Sequence, residues 1–190
     1  MSERRFDPEK ADQLINQSRK EKVPQDKILE LLSLSGDEKI VDLGAGNGYL
    51  TLPIAETTSE RVMAVDIEDG MLTMLDHRAK EAGIRNIDRM KSQIEVLKFP
   101  DASFDRAVAA FVLHEVDGIE RTLREINRVL KNDGQLLVLD WEEHESDDGP
   151  PMDHRIHSER MQRYLMKEGF QTKLGFLHPD IYYISAYKAG

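Results

Sequence analysis

The chain has 190 residues, 39% of them hydrophobic and 33% charged, which is enough apolar material for one compact core and too much for a disordered chain. Lys and Arg number 26 against 36 Asp and Glu, and the formal net charge of −10 opposes the phosphate neutralisation on which nucleic-acid binding depends. The absence of cysteine excludes disulfide frameworks, thiolate metal sites and thiol nucleophiles.

Residues 8 to 34 read as two short helices, with Ala11, Leu14 and Ile15 on one apolar stripe and Ile28, Leu31 and Leu32 on another. Pro24 stands near the start of the second, where proline is tolerated. Residues 1–35 are expected to form a helical cap packed on a core of residues 36–190, the whole being one domain. Met1 to Pro8 lack the apolar segment of a secretory signal, and no apolar run approaches the roughly 18 residues of a membrane span. The expected location is the cytoplasm.

From Lys39 onward, short apolar runs alternate with amphipathic segments. Ile40 to Leu43 is a strand, followed by a helix from near Tyr49; Val62 to Asp66 is a strand, followed by a helix from Gly70 to Ala82. A weaker strand lies near 86–91 and a strongly apolar one at Phe104 to Ala110. Ile119, Leu123, Ile126 and Leu130 recur at helical spacing, with Asn132-Asp133-Gly134 as the stop before a strand from Gln135 to Trp141. Glu142 to Pro151 is an acidic loop, Ile156 to Glu168 a helix, and the runs Phe170 to Phe176 and Ile181 to Tyr187 an antiparallel hairpin at the sheet edge. The expected fold is α/β: a doubly wound, Rossmann-like, seven-stranded mixed sheet with helices on both faces. The methionines at 63, 71, 74, 152, 161 and 166 read as core and helix packing.

The chemistry concentrates after the first strand, where Gly44-Ala45-Gly46-Asn47-Gly48 lets the backbone turn sharply and approach a ligand. The spacing is Gly-x-Gly-x-Gly, not the dinucleotide Gly-x-Gly-x-x-Gly, and Tyr49 occupies the place of the last small residue. Asp42, two residues before the first glycine, would repel a diphosphate and attract an ammonium group. An amino-acid-like ligand therefore fits better than a dinucleotide, which leaves a nicotinamide-dependent oxidoreductase as the disfavoured alternative. A regulatory module that binds the cofactor without catalysis is the other alternative.

Residues 36 to 141 resemble the class I, Rossmann-like S-adenosylmethionine-dependent methyltransferases, particularly the group described as methyltransferase type 11. The resemblance rests on Val41 to Gly48, on Asp66, on Phe99-Pro100-Asp101-Ala102-Ser103-Phe104-Asp105, and on Arg124 to Leu136. It implies S-adenosylmethionine as cofactor and S-adenosylhomocysteine as product. By the same likeness Asp42 and Gly44 to Gly48 would hold the methionine part, Asp66 the ribose hydroxyls, and Ile67 the adenine. Gln93 stands where the family commonly has Asp, and its carbonyl would accept from the adenine amino group without charge. Met71, Ile94, Ala110 and Phe111 complete the implied cofactor lining.

Methyl transfer from a sulfonium needs positioning and water exclusion more than a dedicated base. Candidates for a catalytic role are His114, Glu115 and Trp141; packing or capping is the alternative for His114. The loop bearing His144 reads as solvated, with no metal expected, and His154 to His157 either line the acceptor pocket or open a helix. Phe6, Arg19 and Lys20 belong to N-terminal helices expected to close over the cofactor as a lid. The acceptor is expected to be a small molecule that the sequence does not specify; nucleic acid is disfavoured and oligomeric state is open.

Overall fold

The computed structural model describes residues 17–190. The expectations on Phe6, Ala11, Leu14 and Ile15, and on the side chain of Arg19, lie outside what it describes. Helices α1 (Gln17–Lys22) and α2 (Gln25–Leu32) come first, and Pro24, extended at φ −65°, precedes α2. Val23, Ile28 and Leu32 are wholly buried against Ile40, Val108 and Leu137, so α2 covers one face of the sheet.

The α/β succession follows as β1 (Ile40–Leu43), α3 (Thr51–Thr57), β2 (Val62–Asp66), α4 (Asp69–Glu81), β3 (Ile87–Lys91), β4 (Phe104–Ala110), α5 (Ile119–Val129) and β5 (Leu130–Trp141). The chain ends with α6 (Ser158–Lys167) and the strands β6 (Phe170–His178) and β7 (Ile181–Lys188). The seven strands lie in the order β3-β2-β1-β4-β5-β7-β6. The first five are parallel, while β7 runs antiparallel between β5 and β6, which makes the edge hairpin. All four residues of β1 are buried, as a central parallel strand covered on both faces requires.

Alternation along the strands sorts the core. Val41, Leu43, Ala107, Ala109, Leu136 and Val138 face α5 and α6, with Leu123, Ile126, Met161 and Leu165 packed on them. Ile40, Val108, Leu137, Leu139 and Trp141 face the other way. Because β2 and β3 extend the sheet on one side of β1 while β4 lies on the other, the strand order reverses between β1 and β4. In open α/β sheets such a reversal opens a crevice outside the strand carboxyl ends, and ligands bind there.

Three expectations are corrected. Helix α3 starts at Thr51 rather than near Tyr49, because the left-handed glycines prolong the turn and the buried Tyr49 donates its hydroxyl to the Val23 carbonyl at 2.7 Å. Helix α5 ends at Val129: Leu130 is already extended at φ −76°, wholly buried, and paired with Phe104. Asn132-Asp133-Gly134 therefore forms no helix stop but an irregularity inside β5, where pairing passes from Phe104↔Leu130 to Arg106↔Gln135. Met63, Met71 and Met161 do pack inside, but Met74, Met152 and Met166 are exposed.

Candidate active site

The turn after β1 is held open by three left-handed glycines, Gly44, Gly46 and Gly48, at φ +72°, +54° and +84°. A Cβ on Gly44 would lie 2.6 Å from the Val112 side chain, so this glycine allows the turn to seat against the segment leaving β4. The Gly44 and Ala45 N–H groups donate to the Val65 carbonyl at 2.8 and 3.0 Å, tying the turn to β2. Arg78 of α4 donates to the carbonyl of the buried Asn47 at 2.6 Å.

Two acids flank this turn. Asp42 is 2% exposed and accepts from the Thr51 hydroxyl at 2.6 Å; burial drives its carboxyl up to about 6, a rise to which the nearby Asp66 adds. Asp66 closes β2 and accepts from the Gly46 N–H at 2.8 Å on one oxygen and from the Glu68 N–H at 2.9 Å on the other. Its carboxyl is also raised, because burial outweighs those backbone donors. The structure thus brings Asp42, the glycine turn and Asp66 into one bonded unit across β1, β2 and α3.

The remaining sequence-derived residues are more varied. Ile67 is half-buried and Met71 buried at the start of α4. Gln93 is exposed in the segment after β3, whereas the Ile94 side chain is buried in the core with Val65 and Leu97. Ala110 ends β4, and Phe111 beyond it adopts φ +59°, a strained value for an aromatic residue.

On the far side of the crevice, the loop after β5 folds over Trp141. Its Gly149 lies so close that a Cβ would be 2.7 Å from the indole, and the Phe111 ring meets the same indole at 5.6 Å. Trp141 is consequently 8% exposed. The loop is organised by Arg155, a buried residue that composition does not single out. Its guanidinium donates to the carbonyls of Glu142, His144, Asp148 and Pro150 and to the Ser146 hydroxyl, at 2.7 to 3.3 Å. His144 meets Asp180 at 2.8 Å, and among the described residues no cluster of three metal-ligating side chains exists. Lys22 donates to both Asp148 and Asp180, at 2.8 and 3.0 Å, joining α1 to the loop and to the β6–β7 turn. His154 and His157 flank Arg155, with the His157 ring accepting from the Glu159 N–H as the cap of α6.

Removal of this hub has a direct optical readout, because Trp141 is the only tryptophan. Arg155→Met is expected to shift the emission to longer wavelength, admit protease within 142–151, and cost about 1–3 kcal/mol in urea unfolding. Unchanged emission and cleavage would show that the loop holds itself closed without Arg155.

His114 stands on a 3-10 turn (Leu113–Glu115) directly after β4 and is 5% exposed. Its Nδ1 lies 2.6 Å from Asp140 Oδ1, so the buried ring is held in a polar pair. Glu115 is half-buried beside it, with Oε1 at 3.9 Å from Nε2. Asp140, wholly buried at the end of β5, went unnoticed in the sequence; its signal was a lone acid closing the apolar run Leu136 to Leu139.

A reversed parallel sheet, a glycine turn after β1 and an acid ending β2 define the class I, Rossmann-like methyltransferase fold. Residues 41–138, more than half of the chain, match the family described as "Methyltransferase domain". The chain belongs to that family. It is 30% identical over 130 residues to the uncharacterized methyltransferase YcgJ of Bacillus subtilis, covering 68% of this chain and 50% of that protein. It is 37% identical over 107 residues to the ubiquinone/menaquinone biosynthesis C-methyltransferase UbiE of Cronobacter sakazakii, covering 55% and 43%. The crystal structure of a SAM-dependent methyltransferase from Aquifex aeolicus superposes with a TM-score of 0.89 at 25% identity, covering 96% of this chain and 99% of that one. The chain spans about half the length of the curated relatives it matches.

Proposed function

We propose that this protein transfers a methyl group from S-adenosylmethionine to a small-molecule acceptor and releases S-adenosylhomocysteine. The observation that carries the reading is the pairing of two buried acids with a left-handed glycine turn at the reversal of the sheet. That donor set fits a ligand bearing an ammonium group and a vicinal diol: Asp42 suits the cation, and Asp66, already anchored by two backbone N–H groups, has lone pairs left for hydroxyls. A diphosphate would meet both acids with like charge.

In this reading the turn from Gly44 to Gly48 supports the methionine moiety, and Asp66 and Ile67 the ribose and adenine. Met71, Gln93, Ile94, Ala110 and Phe111 line the rest. When bound, the sulfonium supplies an electrophilic methyl group, and the chain's contribution is alignment and exclusion of water. The Trp141 loop and the Lys22 clasp serve that exclusion, and α1 and α2 belong to the cap packed on the core. A small acceptor agrees with the net charge of −10, which disfavours a nucleic acid. Among the described residues no helix is long and apolar enough to cross a membrane, and we assign the protein to the cytoplasm.

Isothermal titration with S-adenosylmethionine, S-adenosylhomocysteine and NAD tests the assignment: binding of the two sulfur compounds and not of NAD is expected, and the reverse would return the oxidoreductase. The pH dependence tests Asp42. Its carboxyl ionises only near pH 6 in the fold, so the attraction for an ammonium group is present above that pH and lost below it. S-adenosylhomocysteine is expected to bind about tenfold more weakly at pH 5 than at pH 7.5, and Asp42→Asn to remove most of that difference. A flat wild-type profile would place the ammonium group elsewhere.

A further inference from the structure

The dyad of His114 and Asp140 places two ionisable side chains in the interior. Asp140 is wholly buried; its Oδ1 faces the His114 ring and accepts the Trp141 N–H at 2.9 Å, while its Oδ2 has no hydrogen-bond partner among the described residues. Tyr182, opposite Asp140 in the β5–β7 register, is also wholly buried with an unpartnered hydroxyl. Buried polar atoms without partners oppose stability, and a catalytic role is one reason a fold retains them.

The dyad's position is set by the glycine turn. Val112, whose side chain fills the space beside Gly44, is two residues before His114, so the turn bearing His114 leaves β4 beside the first glycine, where the strand order reverses. A carboxylate oxygen can only accept, which puts the ring proton on Nδ1 and leaves Nε2 as the basic position.

We infer that His114, held by Asp140, is the proton acceptor for a hydroxyl-bearing methyl acceptor, an alcohol or phenol. This rests on the methyl-transfer reading above. The acceptor's O–H gives its proton to Nε2 of His114 as the oxygen bonds to the methyl carbon; the C–S bond breaks with its electron pair returning to sulfur, and the resulting imidazolium faces Asp140. A hydroxyl is the acceptor that needs this help, because it is a weak nucleophile until its proton leaves. His114 is the catalytic residue and Asp140 a positioning residue.

The groups facing the imidazole are Asp140 from β5, Glu115 on its own turn, and Arg155 from the loop; burial pushes its ionisation down, but Asp140 and then Glu115 outweigh that and raise it. His114 therefore accepts a proton only on the alkaline side of a raised ionisation. Sinefungin, which carries an amine where S-adenosylmethionine carries its methyl group, probes this position without any acceptor.

The test is calorimetric binding of sinefungin and S-adenosylhomocysteine to the full chain between pH 6 and 9, for wild type, His114→Asn and Asp140→Asn. Expected is a wild-type preference for sinefungin that grows about tenfold from low to high pH as the imidazole becomes neutral, and a preference flattened to within about threefold in both variants. A variant that merely loosens the fold weakens both ligands together and leaves the ratio alone. Binding of both ligands with a ratio indifferent to pH in the wild type overturns the role of His114 even if neither variant folds. Binding of neither ligand overturns the methyl-transfer reading and this inference together.

Discussion

Asp66→Ala is expected to weaken S-adenosylhomocysteine binding by about a hundredfold or more, the loss of two hydrogen bonds to a charged acceptor. The side chain is doubly employed. It accepts from Gly46 within the turn and from Glu68 at the head of α4, so its removal also leaves two backbone donors in a nearly closed site without their partner. Asp66→Asn separates the two effects, because an amide oxygen still accepts from one backbone donor while the charge is gone. Titration calorimetry alongside urea unfolding distinguishes lost contact from lost fold. Affinity within about threefold of wild type in the Ala variant would remove Asp66 from the proposed site.

Gly44→Ala is expected to cost about 2–5 kcal/mol of stability, the sum of a left-handed backbone penalty and an overlap with Val112. The two terms have separate origins. At φ +72° any Cβ meets its own backbone, and this one would also lie 2.6 and 2.7 Å from two carbons of the Val112 side chain. The double variant Gly44→Ala with Val112→Gly, which removes both clashing carbons, should recover the overlap term but not the backbone term, so about half of the loss is expected to return. Denaturant unfolding of the single and double variants gives both numbers. A single variant within about 0.5 kcal/mol of wild type would mean that the turn relaxes freely and does not depend on the close approach to β4.

These two expectations lean on different kinds of information. The importance of Asp66 and Gly44 is visible in the chain itself, as an acid at the end of a short apolar run and a glycine at the start of a turn. The reason Gly44 tolerates nothing larger is Val112, 68 positions later in the sequence, and no local pattern announces that contact. The same holds for Arg155. Its neighbours suggested a helix opening or a pocket wall, yet it is a buried cation whose five acceptors all lie in the preceding loop.

The alternation of buried runs and amphipathic helices was sufficient by itself to define a parallel α/β sheet with a hairpin edge, because period-2 and period-3.6 patterns record which face each segment buries. The glycine spacing and Asp42 likewise favoured a ligand more amino-acid-like than diphosphate-like. Element ends were decided by long-range contact: Leu130 leaves its helix pattern because Phe104 offers a buried strand partner, and Tyr49 stays out of α3 because its hydroxyl reaches Val23. Only the tertiary structure set His114 against Asp140, since the two come from the ends of different strands and meet only because β4 and β5 lie side by side in the sheet.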